Sequence, residues 1–443
     1  MRIAVAQTPG TRLEDWRETR GLIDEMLARC AASGAGLAVI PECIWPAYCL
    51  GSVEAYRAAR AGGMPPPEAF LSQLQAASAR LRLAVCAGYV EERDGALYNA
   101  ACLIDAGGVL RGVHRKCFLW DFDHDTFAPG DVIEPVEMPF GSVGVMICAD
   151  ARLPEIPATL AARGVNLIVQ PTGWVNAGTP ERPWNPQPDF LIAARAAEFG
   201  VPVASASKWG PEIATTFVGS SLICDATGNV CVQAEQAETT VLSAEVALGE
   251  SLLAPIPPEE RAVLSSEADA TYPRGDVGPL RVMPWTGASG AAGAAEGAGS
   301  APTLWLSPGP GAGRGGAAAC VVSGPMAGIV EVGGVRIGAI SDRDACRFGA
   351  VRVRALRGAH VVVVYGAQTR EILVQARACE NRVFVIWVTE RGYQTYDPRG
   401  LRTHAGQWTD AAGLSLDVAF AAAKEAAPRT DMLRGRRPGL YTW

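Results

Sequence analysis

Three residues have the types and settings to do covalent chemistry together: Cys148, Glu42 and Lys116. Cys148 follows the apolar run Val143–Ile147 in GVMICADARLPE (144–155), so a buried strand would deliver its thiol at the strand's end. Asp150, Arg152 and Glu155 crowd the turn after it, and Pro154 suits the start of a helix. The thiolate is the nucleophilic form, so such a cysteine is reactive where something nearby keeps it ionised. For any single cysteine a packed core thiol is the plainer reading, because free cysteine is among the most buried residue types. Glu42 stands in PEC, one residue past the apolar run Leu37–Ile40, at the kind of sheet edge where α/β sites gather. A solvated strand-end glutamate is its plainer alternative. Lys116, in HRKC, lies between an apolar hairpin and the loop Phe118–Phe127, which suggests a desolvated ammonium in place of a surface charge.

These residues need strands to carry them. Arg2–Gln7, Leu37–Ile40 and Leu83–Val90 read as short strands, separated by helical stretches at Trp16–Ala32 and Glu68–Leu81. Tyr98–Asp105 alternates into Gly107-Gly108 and a further strand, a hairpin leading to Lys116. Val136–Phe140 and Val143–Ile147 form the next hairpin and present Cys148. Pro157–Arg163 and Phe190–Phe199 read as helices, Asn166–Gln170 and Val201–Ala206 as strands, and Ser220–Asp225 with Val230–Gln233 as a hairpin. Strands alternating with helices, then interrupted by hairpins, predict an α/β fold with mixed sheets and helices outside.

The chain has 443 residues, with 49% hydrophobic and 19% charged, which is globular and long enough for two domains. A net charge of −7 without long acidic runs argues against a nucleic-acid partner. The 12 cysteines form no CxxC pair, so neither a zinc cluster nor a disulfide framework is expected. MRIAVAQTPG opens directly on a strand-like run without a signal-peptide pattern, and no apolar run approaches a membrane span. The expectation is a reduced, cytoplasmic, soluble protein with no membrane partner.

In the contexts PEC, HRKC and GVMICAD, and in that order, the chain resembles the nitrilase superfamily of carbon–nitrogen hydrolases. The resemblance covers nearly all of residues 1–246 and includes LYNAACLID, FAPGD, ARAAEFGVPVASA and GSSLICDATGNV. It implies an αββα sandwich of two mixed sheets flanked by helices, with no metal and no cofactor. It also implies roles: Cys148 attacks the carbon of an amide-type substrate, and Glu42 moves the protons. Lys116 and the backbone N–H after Cys148, that of Ala149, make the oxyanion hole. A second carboxylate, usually glutamate, is implied seven residues before Gly130; Asp123 stands there, one methylene shorter, with Asp121 and Asp125 as neighbours for the role. Asp150, Arg152 and Glu155 are expected to hold the nucleophile's turn through buried ion pairs. Trp174 reads equally as a pocket wall and as core filler. ICADARLPE resembles the amidase and carbamoylase branches, whereas nitrile-hydrolysing members commonly place Trp-Glu after the cysteine.

From Ala247 the periodicity fades, and Thr286–Gly316 is an Ala/Gly/Ser/Pro tract with a flexible composition. Order returns at Gly328–Val332 and Val335–Ile340. Aligning GVMICADARLPEIPATLAARGVNLIV with GAISDRDACRFGAVRVRALRGAHVVV gives a constant offset of 194, pairing Gly144 with Gly338 and Asp150 with Asp344. ARAAEFGVPVASA likewise pairs with ARACENRVFVIWV, and DATGNV with DPRGLR. The cysteine slot of the second stretch holds Asp342. The expected organisation is a catalytic domain at 1–250, a linker at 251–327, and a degenerate, non-catalytic half domain at 328–443. The resemblance implies a homo-oligomer paired through helices, and the half domain is expected to take that pairing surface within one chain, with a tethered separate module as the alternative.

The functional expectation is a hydrolase of a small amide or N-carbamoyl compound acting through a cysteine thioester. A nitrilase, an N-acyltransferase with the same triad, and a catalytically silent binding protein of this fold are the alternatives.

Overall fold

The computed structural model describes residues 1–213, 215–266, 279–284, 303–306, 319–322, 328–407, 414–419 and 425–443. They divide into two compact units, Met1–Ala254 with Leu440–Trp443, and Pro255–Gly439. Among the described residues no helix is long and apolar enough to cross a membrane.

In the first unit the apolar runs become β1 (Arg2–Pro9), β2 (Leu37–Trp45), β3 (Ala84–Arg93), β4 (Ala96–Ile104) and β5 (Leu110–Arg115). Between them lie α1 (Trp16–Ala32), α2 (Val53–Ala61) and α3 (Pro67–Leu81). β1, β2 and β3 pair in parallel, while β3, β4 and β5 continue as antiparallel hairpins. A second set follows: β6 (Val136–Met138), β7 (Gly141–Val145), β8 (Leu167–Thr172), β9 (Val203–Glu212), β10 (Thr215–Val218), β11 (Leu222–Cys224) and β12 (Val230–Gln233). Its helices are α4 (Glu155–Ala162) and α5 (Ile192–Phe199), the latter entered through a π turn at Gln187–Leu191. β13 (Thr240–Glu245) returns antiparallel to β1.

β1 joins the two sets where Thr8 and Pro9 lie opposite Lys208 and Trp209 of β9. Elsewhere they stack face to face, with β2 against β8 and β9. α1 and α3 cover the outer face of one sheet; α5, with α4 beside it, covers the other. This is the αββα sandwich. It explains why β2 is buried along its whole length and reads as a continuous apolar run: a helix layer covers one face and the second sheet the other. α1 buries Trp16, Thr19, Ile23, Met26, Leu27 and Cys30, one stripe at helical spacing.

Two boundaries differ from the sequence reading in ways that matter for the site. β2 runs on to Trp45, with a shift in its pairing to β3 between Ile40 and Trp45. Glu42 therefore sits inside an irregular strand, fully buried, and is no solvated strand-end residue. α4 begins at Glu155, closing the turn after Cys148 directly onto a helix.

The second unit begins within the range expected to be linker. The range 251–327 carries α6 (Pro258–Leu264) and the strands β14 (Leu280–Pro284), β15 (Thr303–Leu306) and β16 (Ala319–Val322). Then come β17 (Ile329–Val332), β18 (Val335–Ser341), α7 (Asp342–Ala345), α8 (Phe348–Leu356), β19 (Val361–Tyr365) and α9 (Glu371–Asn381). β20 (Phe384–Thr389), β21 (Gly392–Tyr396), β22 (Arg402–Gly406) and β23 (Leu414–Leu416) follow. β17 to β22 form a six-stranded sheet, and β16-β15-β14-β23 a four-stranded one. Leu280, Val282, Leu304 and Leu306 share one core with Ile337, Ala339, Val361 and Val363. The stretch taken for a linker thus supplies a second layer. Its strands of four or five residues are too short to show a period, and the Gly/Ala/Pro composition around them dominates any window. Most of the tract 286–316, expected to be flexible, lies outside the described residues.

Pairing in the six-stranded sheet follows the offset of 194. Ile337 faces Val361 and Gly338 faces Val362, as Val143 faces Leu167 and Gly144 faces Ile168.

Gly88 of β3 allows the irregular stretch of β2 to approach. A Cβ there would lie 2.6 Å from Glu42 Cα and from the Pro41 carbonyl oxygen. Backbone cannot yield as a side chain tip can, so Gly88→Ala is expected to cost about 1–3 kcal/mol. A thermal melt checks it, with an unchanged Tm counting against this packing.

Candidate active site

Lys116 is placed by the hairpin before it. Its N–H donates to the Asn99 carbonyl at 2.8 Å, continuing the β4–β5 ladder, and its carbonyl accepts from Gly130 N at 2.7 Å. The side chain enters a fully buried space. There Nζ lies 2.8 Å from Glu42 Oε1, 2.7 Å from Asp123 Oδ2 and 2.9 Å from the Tyr48 hydroxyl. Burial works against the ammonium, but Asp123 and Glu42 hold its pKa well above the usual lysine value. Of the three aspartates in the loop, Asp123 is the buried one that reaches Lys116; Asp121 is half-buried and Asp125 exposed. The short turn Asp121–Asp125 aims it, with Trp120 N donating to Asp123 Oδ2 at 2.7 Å. Asp123 Oδ1 is buried without a hydrogen-bond partner among the described residues.

Glu42 is anchored at both oxygens. Oε1 also accepts from Asn99 Nδ2 at 2.7 Å, and Oε2 accepts from Gly173 N at 2.8 Å. Burial pushes the carboxyl above its ordinary range; Lys116 pulls it back and the Asp123 charge pushes it up again.

Cys148 begins a 3-10 turn, Cys148–Arg152, with φ at 44°, a left-handed conformation unusual outside glycine. Holding a non-glycine residue there costs on the order of 1–3 kcal/mol, so the surroundings must over-determine it. Gln170 Nε2 donates to the Cys148 carbonyl at 2.9 Å, and Gln170 is fixed in turn by Ser205 and Gln187. Sγ donates to the Gly173 carbonyl at 3.6 Å, so Gly173 touches the thiol through its oxygen and Glu42 through its nitrogen. Burial, then the Glu42 charge, pushes the Cys148 thiol up to about 12, against the lowering pull of Lys116. The sulfur therefore rests as a thiol, and to act as a nucleophile it would need a group to take its proton.

The structure brings Glu42, Lys116, Asp123 and Cys148 into one buried cluster. Ala149 is buried in the turn directly after the thiol. Trp174 follows Gly173 and is fully buried; its indole Nε1 has no hydrogen-bond partner among the described residues.

Of the residues expected to hold the turn, Asp150 does so chiefly through backbone N–H groups. Asp150 accepts from Ile147 N at 2.9 Å, Cys117 N at 3.1 Å and Phe118 N at 2.8 Å, with His114 Nε2 at 3.2 Å. It thereby ties the loop after Lys116 to the strand end before Cys148. The Arg152 guanidinium lies 4.4 Å from the Trp120 ring centroid and 3.5 Å from Asn185 Oδ1. Glu155 is buried at the start of α4. Arg195, to which no role was given, donates to the carbonyls of Ala151 and Arg152 at 2.9 and 3.4 Å. Tyr48, Asn99, Gly173 and Gln170 were also missed. Asn99 lay inside the quoted motif LYNAACLID, and the others carried no sequence signal beyond proximity to a strand end.

The carbon–nitrogen hydrolase family profile matches residues 2–252. The chain belongs to this family. It is 32% identical over 235 residues to an omega-amidase, NIT2-A, of Xenopus laevis, covering 51% of this chain and 81% of that protein. It is 30% identical over 218 residues to a probable nitrilase of Schizosaccharomyces pombe, covering 48% of this chain and 76% of that one. Among solved structures it is similar to an amidase from Nesterenkonia sp. AN1, with 25% identity and a TM-score of 0.47, covering 56% of this chain and 93% of that one. As a member of this family the chain is an enzyme, a hydrolase of carbon–nitrogen bonds.

Asp150→Ala would leave three buried backbone N–H groups without an acceptor, each worth about 1–3 kcal/mol. The expected result is a loss of more than about 3 kcal/mol in denaturant unfolding. A loss below about 1 kcal/mol would show that the two strand ends hold without it.

Proposed function

We propose that this carbon–nitrogen hydrolase cleaves a small amide or N-carbamoyl compound through a thioester on Cys148. One observation carries the reading: a single buried ammonium, Lys116, is shared by Glu42 and Asp123, with Gly173 bridging Glu42 to the Cys148 thiol. Sulfur attacks the carbonyl carbon as Glu42 takes the thiol proton. The oxyanion collects donors from Lys116 Nζ and the Ala149 N–H. As the C–N bond breaks, Glu42 returns the proton to the leaving nitrogen, so ammonia or an amine departs. Glu42 then deprotonates water, which opens the thioester to the acid and restores the thiol. Asp123 Oδ1, buried and without a hydrogen-bond partner among the described residues, is suited to accept from the substrate's N–H, and Trp174 to line the acyl side.

ICADARLPE and the omega-amidase relatives support an amide over a nitrile. Among the described residues no three His, Cys, Asp or Glu side chains form a metal-binding group, and the proposed steps need none. Eleven described cysteines are free thiols, which supports a reducing, cytoplasmic setting.

We propose no catalytic role for the second unit. Asp342 occupies the slot that Cys148 fills in the first, and it accepts a hydrogen bond from Gln368 N at 2.5 Å. Arg377 donates to the carbonyls of Ala345 and Cys346 at 3.0 and 3.4 Å, much as Arg195 does for Ala151 and Arg152. These parallels support reading the second unit as a copy that lost its nucleophile.

An ammonia-release screen over amides, ureas and nitriles tests the proposal, with Cys148→Ala as the blank. Glu42→Gln is expected to lose about 10²–10⁴-fold in kcat/KM; retention of activity in either variant would remove the assigned roles. The acid limb of kcat/KM follows ionisation of Glu42. Because burial raises that carboxyl, the limb should lie above the ordinary glutamate value of about 4.3. Asp123→Asn deletes one charge that raises it, so the limb should move to lower pH in whatever activity remains.

A further inference from the structure

A second buried ion pair lies beside the first, on elements the chemistry does not use. Lys208 and Glu212 of β9 both have fully buried side chains, with Nζ 2.5 Å from Glu212 Oε1. Each group is saturated by protein. Lys208 Nζ donates to the Cys43 carbonyl at 3.0 Å and to Thr11 Oγ1 at 3.3 Å, besides Glu212. Glu212 Oε1 also accepts from Thr11 N at 2.8 Å and Thr11 Oγ1 at 3.3 Å; Oε2 accepts from Tyr48 N at 3.1 Å and Cys49 N at 2.9 Å.

The targets of these bonds sit in catalytic neighbourhoods. Cys43 directly follows Glu42 and has φ at 37°, so its carbonyl is held out of ordinary strand geometry at the residue after the candidate base. Tyr48 places its hydroxyl on Lys116 Nζ. Its ring stacks on Phe217 at 5.9 Å, and Phe217 in turn lies 6.0 Å from Lys208 Nζ. The pair thus grips segment 42–49 at both ends. Gly10 makes room for it, since a Cβ there would meet Glu212 Cγ at 2.9 Å. A buried ion pair seldom stabilises a core more than apolar side chains of the same volume would. What this one supplies, which apolar packing could not, is a set of directed hydrogen bonds to three backbone groups in one segment.

We propose that Lys208 and Glu212 are positioning residues, a charge pair that sets the backbone of Glu42–Cys49 so that Glu42 and Tyr48 converge on Lys116. Neither has an atom left to touch substrate. The inference rests on the hydrolase reading of Glu42, Lys116 and Cys148.

The test is the pH profile of Cys148 alkylation by iodoacetamide in the full chain, with the modified residue located by mass spectrometry. Because Glu42 can take the thiol proton as the sulfur reacts, wild type should alkylate at Cys148 ahead of the other described thiols near neutral pH; if it does not, the hydrolase reading falls and the positioning role falls with it. Given that control, Glu212→Gln keeps the shape but removes the charge. It should lower the neutral-pH rate about 10-fold and move the profile to higher pH, with a fall in kcat for ammonia release and little change in KM. A folded Glu212→Gln chain with the wild-type profile, even at a lower Tm, would reduce the pair to a stabilising core contact and overturn the proposal. If that variant does not fold, Thr11→Val serves, because it deletes only the hydroxyl bridging both charges. A rate reduced about threefold supports the role, and an unchanged profile overturns it.

Discussion

The rest of the first unit depends on the desolvation of one ammonium. Lys116 is taken wholly out of water, and a buried charge costs several kcal/mol unless it is paired and hydrogen-bonded. Glu42 and Asp123 meet it at 2.8 and 2.7 Å, which obliges β2, the end of β5 and the turn at Asp121–Asp125 to converge on one point. Two carboxylates against one ammonium leave a surplus of negative charge. That surplus, with burial, raises the Glu42 carboxyl and the Cys148 thiol together. On the proposed mechanism this would couple proton transfer from sulfur to its bond formation with carbon.

The convergence draws on both sheets. Glu42 and Lys116 come from the sheet of β1 to β5, and Cys148 from the end of β7 in the other. Facing sheets do not by themselves align strand ends to within a hydrogen bond. Gly173, after β8, does it for Glu42 and the thiol, and Asp150 for the loops carrying Lys116 and Cys148. Each is a backbone–carboxylate or backbone–thiol contact, which fixes a chain path as well as a side chain. Such contacts preorganise the side chains that they hold.

The second unit separates fold from chemistry. Its six-stranded sheet keeps the registers of β7 and β8, and Arg377 keeps the carbonyl-binding arrangement of Arg195. Gly366, opposite Asp342, has no room for a Cβ, and Asp342 binds the backbone of that loop. The register is maintained by apolar burial, as in the shared core of Val335, Ile337 and Val361, which does not depend on the residue at the position of Asp342.

Much of this was legible in the chain itself. Apolar runs bounded by turn residues located most strands of the first unit, and the stripe of α1 was visible at helical spacing, because burial of one face demands a period. Cys148, Glu42 and Lys116 stood out because their contexts place reactive types at strand ends. Other features had no local signature. The short strands at 280–322 lack enough residues to show a pattern. The hydrogen-bond partners of Lys208 and Glu212 lie up to 201 positions away, so nothing local in KWGPE marks the two charges as a buried pair. The choice of Asp123 over Asp121 and Asp125 was likewise made by the turn that points one carboxylate inward. Periodicity and residue type act locally and are written in the sequence; partners for buried charge are chosen across the fold, and only the tertiary structure decides them.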